Sequence, residues 1–302
     1  MAKKHFQRYL SIINILQRGK ATFDEIDAYL REQCDITSVN FNFSKRTFQR
    51  DIQDIAEVHN IDIEYDRISK CYRIISSENC YQDRVKERLL ENAQLNFALQ
   101  IYNKADKWID LDLRKPTSIE HIQSILKSLD NSKQLKFTHN SFWKEASSKT
   151  VEPLGLKEFK QRWYLVARDT KDGAVKIYSL DRISNLELGS IGYTYPQSFD
   201  IHHYFTHAFG VDVGNQTDAP EQVTLSFSPF QAKYIKTLPL HPSQKIISDT
   251  SEELRVTLTV LLTFDFEMEI LAMGEHVRVI SPLSFRDKIA ERINRNLNNY
   301  SV

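Results

Sequence analysis

The chain has 302 residues, and its 40 Lys and Arg residues are balanced by 40 Asp and Glu residues, so its net charge neither favours nor excludes a nucleic-acid partner. No apolar run is long enough to span a bilayer, and the basic N-terminus lacks the apolar stretch of a signal peptide, which predicts a cytoplasmic protein without a membrane partner. The cysteines are odd in number and lack C-x-x-C spacing, which argues against a disulfide framework and a cysteine-based zinc site.

The first predicted domain, residues 1–76, begins with three helices. Apolar side chains recur at helical spacing from His5 to Gln17, and Gly19 ends this first helix. Thr22 begins the second helix, with Glu25 three positions later as a capping box requires. A polar loop follows, and then a third helix that carries the first candidate functional residues.

The third helix is predicted to present a basic face to solvent. Its apolar residues Phe48, Ile52 and Ile55 share one side, so the polar residues must point outward. Arg can pair bidentately with guanine and Gln with adenine in the major groove, and hydroxyls near the helix N-terminus can hold phosphates. The DNA contacts predicted on this helix are Ser44, Lys45, Arg46, Thr47, Gln49 and Arg50. The alternative is an ordinary solvated helix face.

A β-hairpin is predicted directly after the third helix. Segments 61–66 and 70–75 alternate apolar and polar residues, and a short basic turn joins them. Arg67 and Lys70 lie at this turn, placed like a wing that reaches a phosphate. Three helices followed by a hairpin is the order of a winged helix-turn-helix, so we expect residues 1–76 to bind double-stranded DNA.

The middle of the chain is predicted to be a helical linker followed by a small barrel. Residues 77–130 carry two helical patterns, Asp83 to Trp108 and Ser118 to Ser128. Residues 131–192 then show strand patterns over 133–139, 147–156, 160–168, 174–180 and 183–188. Five short antiparallel strands within about 60 residues favour a small closed β-barrel over an open sheet.

Two further segments complete the predicted α+β multidomain fold. Residues 193–220 contain Pro196, Gly210, Gly214 and Pro220, and they predict a linker with one short helix. Residues 221–302 read as strand, helix, two strands, helix, strand and a long terminal helix. This order predicts a ferredoxin-like C-terminal extension.

Several motifs resemble the transcriptional regulators of the WYL-domain family. Segments 43–55 (FSKRTFQRDIQDI) and 61–74 (IDIEYDRISKCYRI) resemble their DeoR-like winged helices. Segment 162–188 includes Trp163-Tyr164-Leu165 and resembles the core of the WYL domain. Upstream, KTVEP has Lys149 where the family usually has Arg, and LKFTH has His139 where Tyr is common. Downstream, residues 239–247 and 273–282 resemble the family's C-terminal WCX-like extension.

This resemblance implies a ligand-sensing module. The barrel would be the Sm/SH3-like barrel of the family, with a positively charged patch that takes a nucleotide, a nucleic acid or another anionic ligand. The patch carried over from the family consists of His139, Lys149, Tyr164, Lys176 and Arg182. We expect no acid between these cations, so that an anion would relieve their repulsion. The alternative is that Tyr164 packs and that Arg182 pairs with an acid.

Other signals are weak. His203 and His207 are four residues apart, but the aromatic residues between them favour packing over metal binding. Phosphate-cradling loops, nucleophile elbows and metalloprotease motifs do not occur in the sequence, so we expect neither an enzyme nor a cofactor. The favoured function is a homodimeric, sequence-specific regulator on a pseudo-palindromic operator, with control of a phage-defence operon as a family-level expectation. The alternative is an accessory protein that modulates a nucleic-acid-targeting defence effector through RNA or protein contacts.

Overall fold

The computed structural model describes residues 2–37, 43–59, 61–75, 118–215 and 217–300, together with residues 88, 91 and 95. The chain divides into two compact units, Met1–Asp112 and Leu113–Val302. The helix expected from Asp83 to Trp108 falls almost entirely outside the described residues.

The N-terminal unit contains the predicted helices and hairpin. The helices are α1 (Ala2–Gln17), α2 (Phe23–Thr37) and α3 (Lys45–His59), and the strands are β1 (Ile63–Asp66) and β2 (Cys71–Ile74). The capping box is confirmed, since the Thr22 N–H donates to Glu25 Oε2 at 2.7 Å and the Glu25 N–H to Thr22 Oγ1 at 3.2 Å. Ser44 caps α3, because its Oγ accepts the Thr47 N–H at 3.2 Å.

One apolar core holds these elements together. Its buried side chains come from all three helices and include Ile12, Ile13, Ile26, Leu30, Phe48 and Ile55. The hairpin joins this core through Tyr72, whose ring packs edge-on against Phe48 with the ring centroids 4.7 Å apart. Tyr72 also exchanges two backbone hydrogen bonds with Ala21, of 3.1 and 2.7 Å. The hairpin is therefore fixed against both the α1–α2 turn and α3.

In the C-terminal unit, the first described elements are a 3-10 turn, Ile119–His121, and α4 (Ile122–Asp130), which lie against a five-stranded antiparallel sheet. The strands are β3 (Lys133–His139), β4 (Ser147–Phe159), β5 (Arg162–Asp169), β6 (Val175–Ser179) and β7 (Ile183–Gly192), in the order β6-β5-β4-β3-β7. Buried side chains of β3, β4 and β5 pack with Ile125 of α4 on one face of this sheet.

Both faces of this sheet are covered by buried side chains. Leu165 and Ala167 face the α4 side, whereas Val166 belongs to a second cluster with Leu154 and Phe205. The partners in this second cluster come largely from the segment predicted as a linker: Tyr195, Phe199, Ile201, Tyr204, Phe205 and Ala208. Part of that segment forms the short helix α5 (Ile201–Tyr204). Residues 195–208 are therefore packed structure against the sheet.

The last part of the chain has the element order predicted for it. It contains β8 (Glu221–Phe227), α6 (Pro229–Thr237), β9 (Lys245–Asp249), β10 (Leu254–Val260), α7 (Phe264–Ala272), β11 (Val277–Ser281) and α8 (Leu283–Asn298). The four strands form one antiparallel sheet in the order β11-β8-β10-β9. Its core includes Phe227, Phe266 and Phe285, and the last two rings stack with centroids 5.4 Å apart.

Candidate nucleic-acid and ligand-binding sites

The α3 helix presents its polar residues to solvent, as predicted. Phe48 and Ile55 are fully buried, and Lys45, Arg46, Gln49 and Arg50 are exposed. Ser44 is also exposed and Thr47 is half-buried at the helix start. The exposed side of α3 therefore carries three cations and an amide.

Two contacts from α1 fix the opposite side of α3. The Arg8 guanidinium donates from Nε and an Nη to the two carboxylate oxygens of Asp51, both at 2.6 Å. Both side chains of this ion pair are buried. One turn later, the Tyr9 hydroxyl donates to the Asp54 carboxylate. These contacts limit rotation of α3 about its own axis and so define which residues face outward.

Two of the predicted α3 contacts already have neighbours within the protein. The Lys45 ammonium lies 5.5 Å from the centroid of the Phe23 ring. The Gln49 amide donates to the Tyr72 hydroxyl at 3.4 Å, which links α3 to the hairpin. Arg67 and Lys70 are exposed at the hairpin turn. Arg46 and Arg50 are therefore the strongest candidates for direct readout of a base edge.

The structure divides the predicted ligand patch between two faces of the β3–β7 sheet. Lys149 lies on the α4 side because it is paired with Phe137, whose side chain is buried on that face. His139 follows Phe137 by two residues on β3, and Lys176 is paired with Ala167 of the same face, so both also lie on the α4 side. Tyr164 lies on the opposite face, where its strand neighbours are Lys157 and Ser179. Burial raises the pKa of Tyr164, and charges that include Arg182 add smaller effects.

The expectation that no acid lies among these cations is wrong. The Lys176 ammonium donates to Asp169 at 2.7 Å and to Asp172 at 2.6 Å, and these two hydrogen bonds raise the pKa of Lys176. Burial acts to raise the pKa of Asp169, but the hydrogen bonds from Lys176 and the Lys171 N–H outweigh it and lower that pKa. Lys176 is therefore neutralised within the sheet and is not a free anion ligand.

Arg182, Lys149 and His139 remain as a basic group. Burial lowers the pKa of His139, and the positive charges of Arg182 and Lys149 lower it further. The acid next to Arg182 in sequence, Asp181, pairs with Arg162 at 3.2 Å. Within the described ranges, neither Lys149 nor Arg182 forms an ion pair, and the buried Nε of Arg182 has no hydrogen-bond partner. This group therefore keeps positive charge that an anion can neutralise.

Two exposed aromatic residues, one of them in contact with Arg182, were missed from the sequence. Phe142 and Trp143 lie in the β3–β4 loop with 70% and 91% of their surface exposed. The Arg182 guanidinium lies over the Phe142 ring, 4.8 Å from its centroid. Two adjacent aromatic residues in the polar loop NSFWKEA were the available signal. An exposed ring beside a cation is the combination that binds a nucleobase and its phosphate.

Other candidate sites give no support for metal or membrane binding. The His207 ring lies against the Thr259 carbonyl at 3.4 Å, and among the described residues no group of His, Cys, Asp and Glu could hold a metal ion. In the same part of the chain, no helix has both the length and the apolar character needed to cross a bilayer. A groove of about 900 Å³ between α7 and α8, lined by Leu271 and Arg292 among others, contains none of the predicted ligand residues.

Family models match two parts of the chain. The WYL domain matches residues 120–188 and the WCX domain matches residues 219–297. The first match spans α4 and the β3–β7 sheet as far as Leu188, and the second spans the β8–β11 sheet and its helices.

Known proteins are similar over almost the full chain. Protein PafB of Mycobacterium tuberculosis and Protein PafB of Mycobacterium bovis are each 24% identical, with 97% of this chain and 98% of the relative covered. Among solved structures, proteasome accessory factor B/C of Arthrobacter aurescens is 18% identical with a TM-score of 0.35, and the match covers 96% of this chain but only 46% of that chain. A CRISPR Cas-related protein is 12% identical with a TM-score of 0.39, and 98% of this chain and 84% of that chain are covered. The chain carries a WYL domain followed by a WCX domain, which confirms its resemblance to the WYL-domain regulator family.

Proposed function

We propose that this chain is a sequence-specific DNA-binding transcriptional regulator whose WYL domain senses an anionic ligand. The observation that carries the proposal is the solvent-exposed face of α3, which presents Lys45, Arg46, Gln49 and Arg50. Arg8 and Tyr9 of α1 fix the opposite side of that helix. A helix of fixed orientation with Arg and Gln side chains outward has the chemistry of major-groove readout.

The domain roles follow from this proposal. Residues 1–76 act as a winged helix-turn-helix, residues 77–130 as a helical linker and residues 131–192 as the Sm/SH3-like WYL barrel. Residues 193–220 connect this barrel to a ferredoxin-like extension over 221–302. The protein works by binding rather than by catalysis, as a cytoplasmic homodimer that holds one half-site of a pseudo-palindromic operator with each winged helix.

The ligand site is revised by the contacts in the sheet. Arg182, Lys149 and His139 supply the positive charge, and Phe142 and Trp143 supply rings on which a base can stack. Lys176 supports the site by holding Asp169, whereas Tyr164 lies on the opposite face of the sheet and is not part of the revised site. A nucleotide or a short oligonucleotide satisfies both the cations and the exposed rings.

Selection from a random library of DNA duplexes tests the proposed function. The full chain is expected to enrich a pseudo-palindrome whose half-sites lie about 10 or 20 base pairs apart, because two-fold related helices read successive turns of DNA. Enrichment without symmetry would contradict the homodimer. A chain that enriches no duplex, but binds single-stranded RNA or another protein, would support the accessory-protein alternative instead.

A further inference from the structure

The turn between β1 and β2 carries the most exposed large apolar side chain in the described part of the protein. Ile68 is 96% exposed, and Arg67 and Lys70 lie on either side of it. Single exposed apolar residues are common on protein surfaces, so exposure alone indicates nothing. The rigidity of the turn and its position relative to α3 make this residue different.

Asp66 holds the turn in one conformation. Its Oδ1 accepts the Ile68 N–H at 2.9 Å and the Ser69 N–H at 3.4 Å, while its Oδ2 accepts the Ser69 hydroxyl at 2.8 Å. The Ser69 hydroxyl, followed by the two N–H groups, lowers the pKa of Asp66 to about 2. Lys20 reaches the same carboxylate at 3.3 Å. Ile68 is therefore presented to solvent by a fixed backbone with little conformational entropy left to lose.

The turn and α3 belong to one rigid frame. Tyr72 of β2 exchanges backbone hydrogen bonds with Ala21, packs on Phe48 of α3 and accepts a hydrogen bond from Gln49. The distance between the Ile68 tip and the exposed face of α3 is thus set before any ligand binds. The tip and α3 therefore approach a bound duplex as one unit.

We propose that Ile68 is an apolar wedge that enters the minor groove beside the major groove contacted by α3. The inference rests on the proposed function, because it requires DNA on α3. The cations at positions 67 and 70 complement the phosphates on either side of that groove. An apolar side chain placed between base steps unstacks them and bends the duplex, which is easiest at flexible pyrimidine–purine steps.

The test uses the duplex that the full chain selects from the random library, labelled at both ends for fluorescence energy transfer. Ile68→Ser is expected to weaken binding about tenfold, to reduce the bend and to remove the preference for a flexible step under the tip. Ile68→Leu is expected to retain all three properties. Ile75→Ser is the matched control, because Ile75 is an exposed isoleucine of the same hairpin that lies away from the tip.

Salt dependence separates the wedge from its flanking cations. Lys70→Ala is expected to lower the slope of log affinity against log salt by about one, whereas Ile68→Ser leaves that slope unchanged. If Ile68→Ser binds and bends the duplex like wild type while Arg46→Ala loses affinity, the wedge is wrong and DNA reading by α3 stands. If the wild-type chain selects no duplex, the proposed function fails, and the wedge fails with it.

Discussion

At the scale of single residues, the most consequential contacts are buried polar pairs that the sequence only partly indicates. The Asp51 side chain has no exposed surface and Arg8 is almost completely buried. Arg8 lies 43 positions from Asp51, and sequence spacing cannot identify such a distant partner. The role of Asp169 was missed for a related reason, because β-strand pairing brings it to Lys176.

Removing one member of the Arg8–Asp51 pair should destabilise the N-terminal unit. Asp51→Ala is expected to cost about 3–5 kcal/mol of unfolding free energy, because it leaves a buried guanidinium without a counter-charge. Urea unfolding of the full chain measures the change. The matched control is Glu64→Ala, which removes an exposed pair with Arg73 and should cost less than about 1 kcal/mol. Equal costs for the two variants would contradict the structural role assigned to Asp51.

His241 should make the stability of the C-terminal unit depend on pH. Burial lowers its pKa below the usual 6.5, and the nearby His207 and Lys157 lower it further. As the pH falls, His241 is therefore protonated in the unfolded chain before it is protonated in the folded chain. The free energy of unfolding keeps its full value above pH 6.5 and decreases as the pH drops from 6.5 to the lower pKa of His241 in the folded chain. Urea unfolding at pH values above and below 6.5 measures the loss, and His241→Gln should reduce it. A loss that is unchanged in His241→Gln would assign the effect to other groups, such as His139.

At the scale of elements, strands with alternating residues and helices with capping residues were predicted more accurately than turns and linkers. The β3 strand was predicted over its observed range, since Leu135 and Phe137 alternate with polar residues. The β5 strand begins two residues later than predicted, because Lys160 and Gln161 form a turn with positive φ values of 46° and 64°. Such turns usually carry Asn or Gly, so this sequence contained no turn signal. Proline and glycine in 193–220 predicted irregular backbone, but they gave no indication that aromatic side chains of this segment pack on the sheet.

The packed part of that segment should contribute strongly to stability. Phe205 is only 7% exposed, against Leu154 and Val166 of the sheet, and its ring also lies under the Lys157 ammonium. Phe205→Ala is expected to cost about 3–5 kcal/mol in urea unfolding of the full chain. Phe142→Ala provides the control, because that ring is 70% exposed, and its removal should change stability by less than about 0.5 kcal/mol. A Phe205→Ala variant as stable as the control would mean that the segment is a loose connector.

At the scale of the whole molecule, a sensor in the WYL domain should be separable from DNA binding by α3. Arg182→Ala should leave affinity for the selected duplex near the wild-type value when ligand is absent. The same substitution should remove any effect of added ATP or a short oligonucleotide on that affinity, because coupling requires the ligand to be held. Fluorescence anisotropy with the labelled duplex measures both quantities. Arg162→Ala is the control, since its guanidinium is exposed and already paired with Asp181.

The opposite pattern would remove the sensor assignment. If Arg182→Ala loses DNA binding without ligand, Arg182 supports the fold or the DNA interface instead. The group of His139, Lys149 and Arg182 could be predicted from the family resemblance, because all three residues lie within the sequence motifs that carry it. The loop aromatic residues, the neutralised Lys176 and the position of Tyr164 on the opposite face depend on strand register, which required the structure.

Whether α3 reads DNA is decided by the affinity of α3 variants for the selected duplex. Arg46→Ala and Arg50→Ala should each weaken binding by about 1–3 kcal/mol and relax the base preference at one position of each half-site, without lowering stability. Arg31→Ala is the control, because Arg31 is an exposed arginine on α2 that pairs with Asp27. Affinity and base preference that remain at wild-type values in both α3 variants would show that another surface reads the DNA.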